Sequence, residues 1–206
     1  MNPVILIGGF IETIELCERC GYKVVGIVDS NHCPEYDNYF YIGTDEHLFR
    51  EKEKYIEIPV VITPDSPKIR RNLFALYKQN GFQIETVISP RANIAPSAII
   101  GAGSIIQDNC NISSKVILEE GVHINSCANI MHETTVGKYS TIAPNAVVLG
   151  RCRIDSDTYI GANSTILPNR IIGEKSTVGA AAVVTKDIAK NVVAVGIPAR
   201  VQKGKN

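Results

Sequence analysis

What this sequence lacks excludes several classes of function. It has no excess charge of either sign, since 21 Lys and Arg residues balance 21 Asp and Glu residues, and it contains no basic stretch. A nucleic acid or an anionic membrane surface is therefore not an expected partner. No apolar run approaches the roughly 20 residues of a membrane-spanning helix. Because Met1 leads straight into an apolar strand rather than a charged signal-peptide region, we expect a cytoplasmic protein without membrane insertion.

Residues that bind metals or act as bases are also few, with 6 Cys and 4 His. Cys17 and Cys20 form a lone Cys-x-x-Cys on a predicted helix, with no second pair and no histidine at ligand spacing, which favours helix packing over metal or redox chemistry. Cys110 and Cys152 fall where small buried residues are expected, as suits reduced thiols. We predict no metal site.

One unbroken pattern dominates the rest of the chain: from position 94 to position 184, every sixth residue is aliphatic. The register is Ile94, Ile100, Ile106, Ile112, Leu118, Ile124, Ile130, Val136, Ile142, Val148, Ile154, Ile160, Ile166, Ile172, Val178 and Val184. A period of six fits short parallel strands joined by tight turns, with three hexads in each coil. The sequence thus predicts a left-handed parallel β-helix of hexapeptide repeats, in which residues three hexads apart stack directly.

Glycine recurs in this repeat directly after the aliphatic position. It does so at Gly101, Gly137, Gly161, Gly173 and Gly179. There we expect tight corners with backbone angles that only glycine adopts at low cost.

The first 90 residues have a different rhythm. Strands are predicted at 4–7, 23–28, 60–63 and 85–88, and helices ending near residue 20 and spanning 45–53 and 67–80. Alternating strands and helices are typical of a small α/β sheet. We therefore predict a Rossmann-like α/β domain over residues 1–90 and a β-helix domain with a C-terminal tail over residues 91–206.

A glycine turn follows the first predicted strand. Gly8 and Gly9 would let a phosphate approach backbone amides at a helix N-terminus, and Asp29 would accept hydrogen bonds from a ribose or a uracil. The full Gly-x-Gly-x-x-Gly pattern is absent. From the spacing alone, a nucleotide site and a plain strand-to-helix turn both remain open.

Two histidines lie in the repeats, and imidazole is the usual base near neutral pH. His132 is at an outward position beside Glu133, and the small Ser114 and Gly150 flank it in its column, which leaves room for a ligand. His123 has no neighbouring carboxylate in the sequence. We predict His132 as the catalytic base and His123 as a surface or subunit-contact residue.

Four motifs carry a family resemblance: IMHE (130–133), GANS (161–164), GAAAVVTKD (179–187) and VGIPAR (195–200). Together with the N-terminal α/β part, they make the chain resemble the bacterial sugar acyltransferases of the hexapeptide-repeat family. The bacillosamine N-acetyltransferases and the sialic acid O-acetyltransferases typify this group. The resemblance spans essentially the whole chain.

The resemblance implies a homotrimer with intersubunit sites, in which acetyl-CoA lies between neighbouring β-helices and the α/β domain holds a nucleotide-linked amino sugar. The expected activity is direct N-acetylation of the amino group of a nucleotide-linked amino (dideoxy) sugar. The residues that it implies are His132 as base, Glu133 as its orienting partner, Gly161 and Gly179 beside the pantetheine arm, and Lys186 and Arg200 at the CoA phosphates.

Two positions depart from the family pattern. Glu12 stands in the glycine turn where relatives usually carry a histidine, so the predicted substrate contacts are Gly8, Gly9, Glu12 and Asp29. Thr141 stands where a relative often has a second histidine near the acetyl group. Its hydroxyl is predicted to donate a hydrogen bond to the bound cofactor.

Two alternatives to this activity stay open. One is an O-acetyltransferase that acts on a sialic acid or another sugar hydroxyl. The other is a trimeric binding scaffold, which predicts no CoA binding and indifference to the loss of His132. A zinc site between subunits would need about three histidines, and the two in the repeats are not column neighbours.

Overall fold

The computed structural model of the protein describes residues 2–31 and 38–202. A parallel α/β sheet comes first, and a parallel β-helix follows it. Across these two ranges, no helix is both long and apolar enough to cross a membrane.

The N-terminal part alternates strands and helices, and its four strands lie parallel in the order β3-β2-β1-β4. The elements are β1 (Asn2–Ile7), α1 (Ile11–Arg19), β2 (Tyr22–Val28), β3 (Tyr41–Gly43), α2 (Asp45–Arg50), α3 (Lys52–Tyr55), β4 (Val60–Ile62) and α4 (Pro67–Gln79). The helices predicted to end near residue 20 and to span 67–80 are confirmed, as are the first three predicted strands, but the helix predicted over 45–53 is two short helices, α2 and α3. β3 was not predicted, because three residues are too few to show an alternating pattern.

The fourth predicted strand belongs elsewhere. β5 (Val87–Ile88) pairs with Ile105 and Ile106 of the β-helix, so the prediction that it completes the α/β sheet was wrong. That sheet receives only an isolated bridge between Val60 and Ile84 at this edge. Val87 is fully buried in a cluster with Ile105, and this apolar contact places the segment on the first coil.

Aromatic side chains fill the core beneath α4. Phe74 and Tyr77 are fully buried. The Tyr77 ring centroid lies 5.1 Å from that of Phe49 and 5.6 Å from that of Phe82. Phe74 meets Tyr139 of the β-helix edge-on at 5.2 Å, so the same core reaches across to the repeats.

The β-helix consists of short strands that are spaced six residues apart as far as β21. Its elements after β5 are β6 (Asn93–Ile94), β7 (Ile99–Ile100), β8 (Ile105–Ile106), β9 (Asn111–Ile112), β10 (Ile117–Leu118), β11 (His123–Ile124), β12 (Asn129–Ile130), β13 (Thr135–Val136), β14 (Thr141–Ile142), β15 (Val147–Val148), β16 (Arg153–Ile154), β17 (Tyr159–Ile160), β18 (Thr165–Ile166), β19 (Ile171–Ile172), β20 (Thr177–Val178), β21 (Val183–Val184), β22 (Val193–Val195) and β23 (Arg200–Val201).

These strands form three faces of a prism. Face 1 holds β5, β8, β11, β14, β17, β20, β22 and β23; face 2 holds β6, β9, β12, β15, β18 and β21; face 3 holds β7, β10, β13, β16 and β19. Partners within a face are three hexads apart, as Leu118 opposite Val136 and Ile142 opposite Ile160 show. The predicted stacking is therefore confirmed.

The corners are named here by the faces they join. Corner 1/2 includes residues 125–128, 143–146 and 161–164; corner 2/3 includes 131–134, 149–152 and 167–170; corner 3/1 includes 137–140, 155–158 and 173–176. From Ile106 onwards, the predicted aliphatic register is buried along the axis, and Cys110 and Cys152 are buried free thiols, as predicted.

The prediction that the five repeat glycines adopt backbone angles open only to glycine was wrong. None of the five has a left-handed φ, which instead falls two residues later, on Gly103 in one hexad and on non-glycine residues such as Asn163 and Tyr139 in the other four. A Cβ on Gly137 would lie 2.6 Å from the Ser156 amide nitrogen, and one on Gly161 would lie 2.6 Å from that of Ala180. Glycine is required there because the next coil's backbone approaches closely.

Candidate active site

His132 lies on corner 2/3 with its ring held by its neighbour in the sequence. Its Nδ1 is 3.1 Å from Glu133 Oε2, and 44% of the His132 side chain remains exposed. Arg151 Nη1 approaches the same carboxylate oxygen at 3.8 Å. The contact with His132, together with this arginine, holds the pKa of Glu133 below its ordinary value. Glu133 is therefore an ionised partner that can fix the tautomer and orientation of the imidazole.

Gly150 makes room for this ring. A Cβ at position 150 would lie 2.6 Å from both Cε1 and Nε2 of His132. The imidazole therefore packs against the backbone of the next coil at position 150, and only glycine leaves room for it there. Within the described residues Nε2 makes no hydrogen bond, so this nitrogen can exchange a proton with a ligand.

A cavity of about 410 Å³ opens beside corner 3/1, but the candidate base is absent from its lining, which includes Lys68, Arg71, Asp157 and Tyr159. A second cavity, of about 390 Å³, lies at the carboxyl ends of β1 and β2. Gly8, Gly9, Asp29, Thr63 and Asp65 line this second cavity.

The glycine turn forms one wall of that second cavity. Gly9 N donates to Asp29 Oδ2 at 2.7 Å, so the two predicted parts of the site meet. Gly8 has a φ of +85°, and a Cβ there would lie 2.7 Å from Thr63 Oγ1. Both the backbone angle and this contact require glycine at position 8. Glu12 does not line this cavity; it lines a neighbouring one of about 270 Å³ with Arg19 and Asp108.

Asp65 joins the second cavity to the β-helix, and nothing in the sequence pattern singled it out. Asn125 Nδ2, on corner 1/2, donates to its two carboxylate oxygens at 3.3 and 3.2 Å. His123 Nδ1 is 3.6 Å from Asp65 Oδ1. Burial acts to raise the pKa of Asp65, but the contacts with His123 and Asn125 prevail and hold it below its ordinary value.

His123 is buried rather than at the surface, so that prediction was wrong. Its side chain is 3% exposed, and Nε2 has no hydrogen-bond partner in the described structure. Burial, and then the charge of Arg70, lower the pKa of His123 to about 4. The ring faces the α/β part because face 1 is the face that this part covers.

Thr141 is also fully buried on face 1. Its hydroxyl donates to the Asp65 carbonyl at 2.7 Å and accepts from Arg70 Nη2 at 2.8 Å. The structure therefore places the Thr141 hydroxyl in the joint between the two parts of the chain.

The other residues predicted to contact the cofactor lie on the coils towards the C-terminal end of the β-helix. Gly161 and Gly179 are on corner 1/2, where they also admit the next turn of backbone or the side chain of Val195. Lys186 and Arg200 are exposed. Lys186 stands in the same column as His132, three coils further along. Among residues 2–31 and 38–202, no group of three or more His, Cys, Asp and Glu side chains is arranged to hold a metal.

No protein-family model matches the sequence. Solved structures match it closely in fold. PerB from Caulobacter crescentus, crystallised with CoA and GDP-perosamine, has 25% identity and a TM-score of 0.92, over 98% of this chain and 98% of that one. A histidine-to-alanine variant of GDP-perosamine N-acetyltransferase from the same organism has 23% identity and a TM-score of 0.92, over 99% and 98%.

The acetyltransferase domain of PglB from Neisseria gonorrhoeae FA1090, in complex with acetyl coenzyme A, has 26% identity and a TM-score of 0.91, over 98% of this chain and 100% of that one. These neighbours are CoA-dependent acetyltransferases, and the matches include both the α/β part and the β-helix. The resemblance that the motifs indicated is thereby confirmed: over nearly its whole length, the chain has the architecture of the sugar N-acetyltransferases of the hexapeptide-repeat family.

Proposed function

We propose that this protein is an acetyl-CoA-dependent N-acetyltransferase that acts on the amino group of a nucleotide-linked amino sugar. The observation that carries the proposal is the His132–Glu133 pair, in which Glu133 anchors the imidazole through Nδ1 and 44% of the His132 side chain remains exposed. The neighbours that bind CoA with GDP-perosamine support the same substrates here.

The chemistry requires a base because only the lone pair of a neutral amine attacks a thioester. In direct transfer the N–C bond forms, the C–S bond breaks, and one proton leaves the nitrogen and ends on the CoA thiol. His132 Nε2 is the proposed carrier of that proton, as general base and then general acid. Glu133 stabilises the transient imidazolium and keeps the ring in the required tautomer.

The parts of this site lie on two different edges of the prism. His132 is on corner 2/3, whereas Gly161, Gly179 and the Asn125 end of the acceptor cavity are on corner 1/2. Face 2 separates these corners within one chain. A second copy that presents its corner 2/3 to this corner 1/2 would complete the site, which supports the homotrimer of left-handed β-helices that we propose. Acetyl-CoA would lie in the groove between copies.

Several contacts with acetyl-CoA belong to the same proposal. Gly161 and Gly179 would border the pantetheine arm, and Lys186 and Arg200 would reach the phosphates. Thr141 is proposed to act indirectly, by holding the loop of Asp65 through its hydrogen bond to the Asp65 carbonyl, because its buried hydroxyl has no second proton to donate to the cofactor. We also propose that the protein works in the cytoplasm.

The α/β part is the proposed holder of the nucleotide. Its strand order, β3-β2-β1-β4, is that of the first strands of the Rossmann fold, and a ligand there binds at the carboxyl ends of the strands. Gly8 and Gly9 precede α1, whose N-cap residue Phe10 makes no side-chain cap, so first-turn amides are available to a phosphate. Asp29 would accept from the nucleoside. Glu12 is proposed as a contact at the neighbouring cavity.

A thiol-release assay with acetyl-CoA tests this function. The acceptors are UDP-, dTDP- and GDP-linked amino sugars and free sialic acid. We expect turnover with a nucleotide-linked amino sugar, and a loss of about 100-fold or more in His132→Ala. The matched control is His47→Ala, which removes an exposed imidazole from α2 and should keep full activity. Turnover of sialic acid alone would favour O-acetylation, and full activity in His132→Ala would refute the assignment of the base.

A further inference from the structure

The cavity at the carboxyl ends of β1 and β2 is acidic. Its lining includes two carboxylates, Asp29 and Asp65, and no Lys, Arg or His within the described residues. Asp29 is engaged on both oxygens, since Oδ2 accepts from Gly9 N at 2.7 Å and Oδ1 accepts from the Ser30 hydroxyl at 3.2 Å. Asp65 is therefore the carboxylate that is better placed to meet a ligand.

Asp65 keeps capacity for further hydrogen bonds. A carboxylate has about four acceptor sites. Asn125 Nδ2 donates to both of its oxygens, His123 Nδ1 lies 3.6 Å from Oδ1, and 49% of the Asp65 side chain is exposed. His123 does not offset the negative charge, because burial keeps this imidazole neutral at physiological pH. The Arg70 guanidinium donates to carbonyls and to Thr141 rather than to the Asp65 carboxylate.

Asp65 also marks the end of the cavity that faces the β-helix. Asn125 and Thr141, both from the repeats, bind the Asp65 side chain and carbonyl respectively. The glycine turn and Asp29 form the other end. A nucleotide placed at the glycine turn would therefore extend its sugar towards Asp65, on the side where the β-helix presents the acyl donor.

Resting on the proposed function, we propose that the Asp65 carboxylate binds the amino group of the acceptor sugar and so selects amino sugars over their hydroxyl counterparts. A protonated amine gives Asp65 a charge-assisted hydrogen bond, which a neutral hydroxyl cannot match. The ammonium releases its extra proton to solvent before the attack, and an N–H of the neutral amine still donates to Asp65. That contact aims the nitrogen lone pair at the thioester carbonyl. The second proton passes through His132 to the CoA thiol.

The test is calorimetric binding of matched pairs that differ in one group. GDP-perosamine is compared with GDP-rhamnose, which has a hydroxyl in place of the amine, and UDP- and dTDP-linked pairs are treated likewise. We expect the wild type to bind the amino member about 10- to 100-fold more tightly. Asp65→Asn should reduce that preference to within about threefold by weakening the amino member alone. The control Ile69→Val changes an apolar residue of the same cavity and should keep the preference.

Three results would count against the proposal: an unchanged preference in Asp65→Asn, an equal loss for both members of a pair, or a wild type that prefers neither. Thiol release with the same compounds tests the proposed function separately. Binding of an amino-sugar nucleotide without thiol release would overturn the activity and leave the Asp65 contact supported. A wild type that binds none of the compounds would overturn both.

Discussion

The β-helix and the α/β part are built on opposite principles. In the β-helix, one aliphatic residue per hexad stacks on the next along the axis, so each coil repeats the packing of its neighbours. In the α/β part, the core mixes aliphatic residues with the aromatic rings of Phe74, Tyr77 and Phe82 and follows no repeat. The repeats therefore supply a regular frame, whereas the irregular part supplies the cavity at the carboxyl ends of β1 and β2.

The joint between the two parts is polar at its centre. Arg70 of α4 is fully buried and donates to Gly121 O at 2.8 Å, Pro64 O at 2.7 Å and Ser140 O at 3.0 Å. Burial lowers the pKa of Arg70 to about 9, which leaves it charged near neutrality. One side chain thus ties the loop that carries Asp65 to two successive coils.

Removal of the Arg70 hydrogen bonds should have the largest effect on the free energy of unfolding. Arg70→Met leaves several buried carbonyls without a donor, so we expect a loss of about 3–5 kcal/mol in the free energy of unfolding. Denaturant unfolding measures it. Lys68→Met, at an exposed position on the same helix, is the control and should change stability by less than about 0.5 kcal/mol. An Arg70→Met protein as stable as the control would show that the hydrogen bonds of Arg70 are not needed to hold the two parts together.

The buried His123 makes the free energy of unfolding depend on pH. Its pKa falls from 6.5 in the unfolded chain to about 4 in the folded protein. Between these values the unfolded state binds the extra proton, so stability falls as the pH is lowered. The expected slope is about 1.4 kcal/mol per pH unit, or about 3 kcal/mol in all.

The measurement is the unfolding free energy of the wild type and His123→Asn from pH 7 to 4. The variant should lack the part of the slope that arises from His123. The difference in unfolding free energy between the two proteins at pH 7 measures the packing that is lost with the imidazole. Asp65, the facing carboxylate, acts at lower pH: its pKa is depressed, so its contribution is lost only as the pH falls below the ordinary range of an aspartate. Parallel slopes in the two proteins would contradict the assignment to His123.

A smaller effect on stability distinguishes two features of the repeat backbone, the close approach of the next coil at a glycine and the left-handed φ of a non-glycine residue. Gly137→Ala puts a Cβ 2.6 Å from Ser156 N and 2.8 Å from the Asp155 carbonyl carbon. Since backbone cannot move aside cheaply, we expect a loss of about 1–3 kcal/mol. Lys115→Gly is the matched variant, because Lys115 has a φ of 57°. Relief of strain there opposes the added entropy of the unfolded chain, so the net change should stay within about 1 kcal/mol. Thermal unfolding compares the two, and equal effects would be inconsistent with the close-approach explanation.

Much of the fold could be read from the sequence because its signals are local. In a six-residue repeat, the aliphatic side chain of each hexad points towards the axis of the β-helix. This predicted which residues stack on one another. Local patterns also placed Gly8 and Gly9 in a turn after the first strand and Asp29 at the end of the next, and position within the repeat singled out the His132–Glu133 pair. Prediction from the sequence missed β3, which is too short to show a pattern, and it misplaced 85–88, because an apolar strand suits either sheet.

The sequence by itself determined which residues face the axis and that His132 lies at an outward position, since both follow from position within a repeat. The tertiary structure alone decided what covers face 1. Asp65, Arg70, His123 and Thr141 are distant in the chain and follow no shared period, so their meeting depends on how the α/β part docks. Docking buries His123, lowers its pKa and brings Asp65 against Asn125, because the contacts that do so exist only between surfaces formed after each part has folded.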